Sequence, residues 1–386
     1  MSASRCSLSL LFLGANTPWV YALAESLATC GQQVTAIATF DSRNFRRLRP
    51  SWPGREQPAR LQREFWVFPP GYVGTLARVF GPFLRSRLAR ALARLDMAVR
   101  SEASAWVIAP YPWFVEALRG VPDGRLIYYN LDDYVLYKPT RAATILRQES
   151  ELVRRAALTL CLSQEQVQSL RARYPKRAHC IQHFPLGVVD DLLNLDTARP
   201  PKGPVVGYIG NLIDRVDWRL VQEVAGRLPD VEFHFIGAMN GYGSGGTSMS
   251  WERERAAALA LPNVRNIGPV AQDEVGRYYW NFAVNWMPYA TGHAFNKASC
   301  PTKIMDGLAS GRPLLSTDVP ECRLYPEWIS IVRSAEEAAT QIRKMLAAAP
   351  SARAREISRR QVEFVRERHT WTRRAELLES WLPQIV

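Results

Sequence analysis

The stretch "NKASCPTKIMDGLASGRPLLSTD", Asn296 to Asp318, carries a helix and the strand that follows it. Pro301 suits the first helical turn, where its missing N–H would have no intrahelical partner anyway. Gly311 suits the left-handed position just past a helix, and Pro313 stops further winding. The spacing predicts a helix from Pro301 to Ser310, with PLLSTD as the next strand. Its start presents Ser299, Thr302 and Lys303 beside free backbone N–H groups and about half a unit of positive charge. That combination suits a docking anion. A capped surface helix with an incidental lysine accounts for this segment equally well.

The same alternation of apolar run and helical periodicity extends over almost the whole chain, which predicts α/β layers with largely parallel sheets. Strand-like runs in the first half are LSLLFLG, QVTAIATF, WVIAPYP, RLIYYNLDD, LTLCLS and HCIQHF. After the polar, Pro-rich DDLLNLDTARPPKGP, the pattern restarts with VVGYIG, VEFHFIG, VRNIGPV, VNWMPY, PLLSTD and ISIV. Arg/Glu-rich helices from Ala335 to Trp381 close the chain. With 386 residues the chain exceeds one ordinary core and fits two domains. Ligand sites in such folds lie at the carboxyl ends of the strands.

Hydrophobic residues make up 47% and charged residues 22%, the composition of a globular protein. No apolar run reaches the ~18–20 residues of a membrane span. RCSLSLLFLG at the start reads as a first buried strand, with a targeting segment as the lesser reading. The six cysteines are scattered without zinc-ligand spacing, which points to a reducing, cytoplasmic setting and predicts no metal site. The net charge of +13 concentrates between Asp41 and Arg100. There SRNFRRLRPSWPGREQPARLQREFW reads as an Arg-rich, Pro-broken loop, followed by an Arg/Leu helix within residues 74–100. A basic amphipathic helix suits an anionic membrane surface. Nucleic acid competes, but no zinc-finger or RRM signature accompanies it, so none is expected as a partner. An ordinary solvated helix is the third reading.

Glycines recur at strand ends in the second half: Gly207 and Gly210, Gly237, and Gly268. Glycine there lets backbone turn sharply or approach a ligand. No G-x-G-x-x-G or P-loop pattern exists, which disfavours dinucleotide-dependent dehydrogenases and P-loop enzymes.

VVGYIGNLIDRVDWRLVQEVAGRLPDVEFHFIGAMNG, LPNVRNIGPVAQDEVGRYYWNFAVNWMPY and SCPTKIMDGLASGRPLLSTDVPE resemble the donor-binding half of GT-B glycosyltransferases of the group 1-like kind. YYNLDDYVLYKP, ALTLCLSQEQVQSL and HFPLGVV are similar to the acceptor half and crossover of that family. The resemblance implies two Rossmann-like domains facing a central cleft. Residues 1–195 would bind acceptor, 202–360 the nucleotide-sugar, and 361–386 would return to the first domain. It further implies a metal-independent sugar transferase without a cofactor, working in cell-surface polysaccharide biosynthesis. The donor would be UDP- or GDP-linked, and the acceptor a hydroxyl of a lipid-linked or polysaccharide glycan. The enzyme would be cytoplasmic, or peripheral at the inner face of the plasma membrane.

By the same resemblance, Ser299, Thr302 and Lys303 with the helix tip would hold the diphosphate, and Asp306 would accept ribose hydroxyls. Pairing of Asp306 with Lys303 is its plainer role. Gly210 and Gly237 would admit the phosphates, with Arg215 as a second cation; Arg215 pairing with Asp214 or Asp217 is an equal account. Gly268 and Val270 would face the base, with Tyr289 lining the pocket. Gly14, Asn16 and Trp19, after the first strand, fall where the acceptor would bind. Many retaining members carry two glutamates with seven residues between them; Ala298 and Asp306 occupy those places here, which favours inversion. Asp132 in RLIYYNLDDYV falls at the position of the base in xanthan-type glucuronosyltransferases, with Asp133 beside it. Either acid could instead cap the helix near TRAATILRQ or form an Asx turn. The alternatives to transfer are a nucleotide-sugar epimerase on the same fold and a non-catalytic anion or nucleic-acid binder. His183 and His293 read as structural or merely exposed.

Overall fold

Near-continuous apolar runs form two parallel sheets, as expected for strands covered on both faces. The computed structural model describes residues 8–48, 57–74, 76–99, 105–197, 199–240 and 250–382. In the first unit the strands are β1 (Ser9–Leu13), β2 (Gln33–Asp41), β3 (Leu61–Phe68), β4 (Trp106–Ala109), β5 (Leu126–Asn130), β6 (Leu158–Cys161) and β7 (Ile181–His183). They lie in the order β3-β2-β1-β4-β5-β6-β7, every neighbour parallel. The second unit holds β8 (Val205–Ile209), β9 (Glu232–Ile236), β10 (Val264–Gly268), β11 (Val284–Met287), β12 (Leu314–Thr317) and β13 (Ile329–Val332). Their order is β10-β9-β8-β11-β12-β13, again parallel. In each sheet the order reverses beside the first strand, at β1/β4 and at β8/β11. Such switch points open a crevice at the strands' carboxyl ends.

β3 corrects the reading of its segment as loop. Leu61, Trp66 and Phe68 are buried while the residues between them reach solvent. Only alternate positions need be apolar on an edge strand, so the polar residues masked it. The central part of the predicted Arg-rich loop, residues 49–56, lies outside the described residues. So do Cys6 and residues 75 and 100 of the basic segment. The five described cysteines are free thiols, and Cys161, Cys300 and Cys322 are buried.

The units divide at 185/186 and 370/371 rather than at the expected 195/202 and 360/361. Val188, Leu192 and Leu193 already belong to the second core. The Asn194 N–H donates to Ala309 O at 2.9 Å and its Nδ2 to Ser310 O at 3.0 Å. The helix Ala352–Arg368 also stays with the second unit, because Val362 and Val365 are in that core. Its buried Gln361 donates Nε2 to Leu308 O and Arg312 O, each at 3.0 Å. Only the helix Trp371–Trp381 belongs to the first unit, where it packs on the helix Pro18–Thr29. Trp381 meets Phe184 edge-on at 5.9 Å.

Candidate functional site

At the carboxyl rim of the second sheet, two glycines allow a close approach that side chains would block. Gly210, after β8, has φ +150°; a Cβ there would fall 2.3 Å from Lys303 Cε and 2.4 Å from Nζ. Gly237, after β9, has φ +143°, and a Cβ would lie 2.0 Å from the Gly210 carbonyl oxygen. Backbone bonds tie the rim: Gly210 N–H to Ile236 O at 2.8 Å, and Gly237 N–H to Gly268 O at 2.9 Å. Gly268 has φ +81° with open space where a side chain would project, and its N–H donates to Asn266 Oδ1 at 3.0 Å. Val270 is half-buried against the core.

The helix that follows spans Thr302–Ala309, with Pro301 at the N-cap rather than in the first turn. Pro301 has ψ 129°, extended rather than helical, so winding begins one residue later than the spacing predicts. Gly311 takes φ +67°, as expected just past a helix. Lys303 projects from the first turn, its Nζ 5.3 Å from the Tyr208 ring centre and 5.7 Å from that of Tyr289. Arg215 lies 5.2 Å from the same Tyr289 ring. Its Nε donates to Asn296 Oδ1 and its Nη2 to Ser299 Oγ, both at 2.8 Å. The two acids near it in sequence have other partners. Asp214 Oδ2 is 3.4 Å from His293 Nε2, and Asp217 caps the helix Trp218–Arg227 through the Leu220 N–H at 2.9 Å.

Two cations therefore converge on a ring that is only 2% exposed, and the bonds of Arg215 go to neutral side chains. Burial would raise the Tyr289 phenol, but Lys303 and Arg215 hold it below its ordinary value. Tyr208 moves the other way, raised by burial and then by Tyr289. Lys303 and Arg215 thus bring two positive charges to this rim, which suits an anionic ligand.

One turn on, burial pushes the Asp306 carboxyl up to about 7, against the opposing pull of Lys303 and a hydrogen bond from Thr302. Hydrogen bonds donated to the ionised form would bring it down again. Ser299 points its oxygen at Arg215, so it positions that cation. Asn296 escaped the sequence reading. It is 1% exposed, and its Nδ2 donates to Arg215 O at 2.8 Å and Ala290 O at 3.0 Å while its Oδ1 accepts from Arg215. An asparagine in the short helix Ala294–Ala298 carries no local signal for a partner 81 positions away.

In the first unit, Gly14 follows β1 with φ +98°, and a Cβ there would lie 2.7 Å from Phe114 Cε2. Asn16 brackets the end of β2, donating Nδ2 to Thr39 O at 2.6 Å and accepting from Thr39 N at 3.2 Å. Trp19 is half-buried in the next helix. After β4, Tyr111 stacks on Trp113 at 4.7 Å, and Tyr134 meets Trp113 edge-on at 5.2 Å. After β5 the paired acids part company. Asp133 caps the short helix Tyr134–Tyr137 through the Val135 N–H at 3.0 Å, and not the later helix Ala142–Arg155 that the capping alternative named. Asp132 Oδ2 instead accepts the Tyr137 hydroxyl at 2.7 Å, and its Oδ1 the Asp133 N–H at 3.0 Å. His183 ends β7. Among the described residues no cluster of His, Cys, Asp or Glu could hold a metal ion, and no helix is long and apolar enough to cross a membrane.

Residues 215–380 match the family described as "Glycosyl transferase-like". Over 192 residues, 47% of this chain, the sequence is 27% identical to TuaH of Bacillus subtilis, named as a teichuronic acid biosynthesis glycosyltransferase. The match covers 45% of TuaH, so the chain spans about half the length of that curated relative. The fold matches sucrose-phosphate synthase from Thermosynechococcus elongatus with a TM-score of 0.69 and 17% identity, over 98% of this chain and 99% of that one. HepE from Anabaena, solved in complex with UDP and glucose, matches with a TM-score of 0.63 and 14% identity, over 97% and 99%. The chain accordingly has the fold of these GT-B structures, and residues 215–380 are similar to the group 1-like glycosyltransferases.

Proposed function

We propose that this protein transfers a sugar from a nucleotide-sugar, UDP- or GDP-linked, to a hydroxyl of a lipid-linked or polysaccharide acceptor. The setting is cell-surface polysaccharide assembly at the cytoplasmic face of a membrane, with residues 74–100 toward the anionic lipid. The observation that carries this reading is the pair Lys303 and Arg215 gathered on Tyr289 at the tip of the helix Thr302–Ala309. The matches to TuaH and to UDP-bound HepE support it.

In this mechanism the acceptor oxygen attacks the anomeric carbon, its proton passes to Asp132, and the nucleoside diphosphate departs. Lys303, Arg215 and the helix N–H groups stabilise charge that grows on the departing oxygen. Side-chain cations take the part that a metal plays elsewhere. The Tyr137 hydroxyl, donating to Oδ2, and the Asp133 N–H, donating to Oδ1, hold Asp132 in one orientation, and a remaining lone pair of the carboxylate receives the proton. Asp306 accepts the ribose hydroxyls. Direct displacement inverts the anomeric centre, consistent with Ala298 and Asp306 in place of the two glutamates of retaining relatives.

A panel of nucleotide-sugars scored for thermal stabilisation and slow hydrolysis tests this reading. Lys303→Ala should abolish the response to the true donor. Asp132→Asn should keep binding and lose transfer; transfer at the wild-type rate would remove Asp132 from the mechanism. Interconversion of two nucleotide-sugars without any acceptor would favour an epimerase instead.

A further inference from the structure

The basic helix Ala77–Val99 contains five arginines, namely Arg78, Arg85, Arg87, Arg90 and Arg94, against the single acid Asp96. Leu84, Leu88, Ala91 and Leu95 form its buried stripe, set at helical spacing in the first core. A second stripe leaves the core and changes character along its length. It begins with Val79 and Phe83, 69% and 52% exposed, and continues through Arg87, Arg90 and Arg94. Beside it runs the edge strand β3, and between the two lies a hollow of about 360 Å³ lined by Glu64, Phe83, Arg87, Arg90 and Arg94.

The charge in this hollow is unbalanced. Glu64 is its one acid, and both carboxylate oxygens are engaged: Oε1 by Arg94 Nη2 at 2.7 Å, Oε2 by Trp66 Nε1 at 2.8 Å. Arg87 is held 4.7 Å from the Trp66 ring, and Arg90 bonds only its own helix, at Ser86 O. Among the described residues neither Arg87 nor Arg90 pairs with a carboxylate. Three guanidinium groups thus face one spent carboxylate, a net charge of about +2 in a pocket with an aromatic lip.

From this we infer that the hollow seats the phosphate of an anionic phospholipid, with Val79 and Phe83 entering the acyl boundary of the bilayer. Guanidinium groups match phosphate geometry and are weakly hydrated, so they suit this task better than lysines. Apolar residues at one end of a stripe and cations at the other match the boundary between acyl chains and headgroups. A nucleic acid would use the arginines but gain nothing from an aliphatic Val79. The inference rests on the proposed membrane setting of the enzyme and names the residues that create it.

Sedimentation of the full chain with vesicles tests this directly, using phosphatidylcholine alone or with phosphatidylglycerol, and no nucleotide-sugar. We expect binding to the anionic vesicles only. Arg90→Ala should weaken it about fivefold and Arg90→Glu about 25-fold, from roughly one surface charge at a time. Phe83→Ser should weaken it about tenfold, from the loss of one inserted side chain. Circular dichroism and UDP binding of these variants should match wild type, so the outcome is separate from the fate of the donor-site reading. Equal binding to neutral vesicles, wild-type binding by Arg90→Glu, or an Arg90-dependent preference for a single-stranded RNA over the vesicles would overturn the inference.

Discussion

Asp306 provides the sharpest test of the donor site, because its role requires a change of protonation. In the unliganded protein its carboxyl sits at about 7, raised by burial. If two ribose hydroxyls donate to it, the bound carboxylate is stabilised and its pKa returns toward the ordinary range near 4. Donor binding then releases a proton below pH 7, and affinity rises with pH until about 7. At pH 5.5 about 3% of unliganded Asp306 is ionised, so affinity should be about 30-fold lower than at pH 8, about 2 kcal/mol. The ligand must be the nucleotide-sugar, because a free nucleoside diphosphate titrates near 6 through its terminal phosphate. Calorimetry in two buffers of different ionisation enthalpy measures affinity and proton release together. Asp306→Asn should bind more weakly at pH 8, with a flat profile. The same residue makes a stability prediction of fixed sign. A folded pKa raised above the unfolded one means stability is fully present below about 4 and falls as pH rises through about 7. The loss is at most about 4 kcal/mol and less where the side chain keeps solvent contact, and Asp306→Asn should remove it. A wild-type donor affinity independent of pH, or an Asp306→Asn profile of unchanged slope, would refute the ribose role.

Gly210→Ala should cost about 1 kcal/mol of stability for its backbone conformation, since the colliding Lys303 tip can swing away, but UDP affinity should drop at least about tenfold. Isothermal titration beside urea unfolding separates the two effects. Asn296→Ala removes the side-chain amide from the part-buried carbonyls of Arg215 and Ala290, which keep their backbone donors, so unfolding free energy should fall by about 1–2 kcal/mol. Tyr137→Phe should lower kcat several-fold with donor KM unchanged and move the acidic limb of the pH–rate profile upward, because Asp132 loses a donor to its ionised form. Asp133→Ala should cost about 1 kcal/mol of stability as a lost helix cap. Transfer lost entirely in Asp133→Ala but kept in Asp132→Asn would exchange the roles of the two acids.

The sheets were legible because their strands are buried on both faces, so each appears as an unbroken apolar run such as "LSLLFLG" or "VEFHFIG". β3 was not, since an edge strand needs only alternate apolar positions, and Gln62, Arg63 and Glu64 resemble the basic loop before them. Within the site, local chemistry was readable where it depends on near neighbours. Lys303 and Asp306 share one helix, Gly210 and Gly237 each follow a strand, and Gly268 ends one. The partners of Arg215 were hidden for the opposite reason. Sequence offers Asp214 and Asp217 next to it, whereas folding brings Asn296 and Ser299, 81 and 84 residues away. The return of the chain to the first unit was placed at 361, inside the helix Ala352–Arg368, and not at Trp371, because both closing helices are comparably amphipathic. The long-range bonds of Gln361 and the packing of Val362 and Val365 in the second core separate them.

The diversion of those two acids has a physical consequence for the site. Had Arg215 paired with Asp214, its charge would be spent in an ion pair that a diphosphate must first break. Asp214 lies against His293 instead, and Asp217 caps the helix Trp218–Arg227. Neutral oxygens from Asn296 and Ser299 then fix the direction of the guanidinium without cancelling its charge. Lys303 is treated alike, held over the faces of Tyr208 and Tyr289, where a ring quadrupole orients an ammonium at modest cost to its field. Both cations are thus preorganised while their charge stays available, which is the condition for stabilising a leaving group whose charge appears only as the bond breaks. Ser299→Asp would keep the geometry of the Arg215 contact and add the missing acid. It should weaken UDP binding more than Ser299→Ala, and the reverse order would show that these bonds serve packing and not charge.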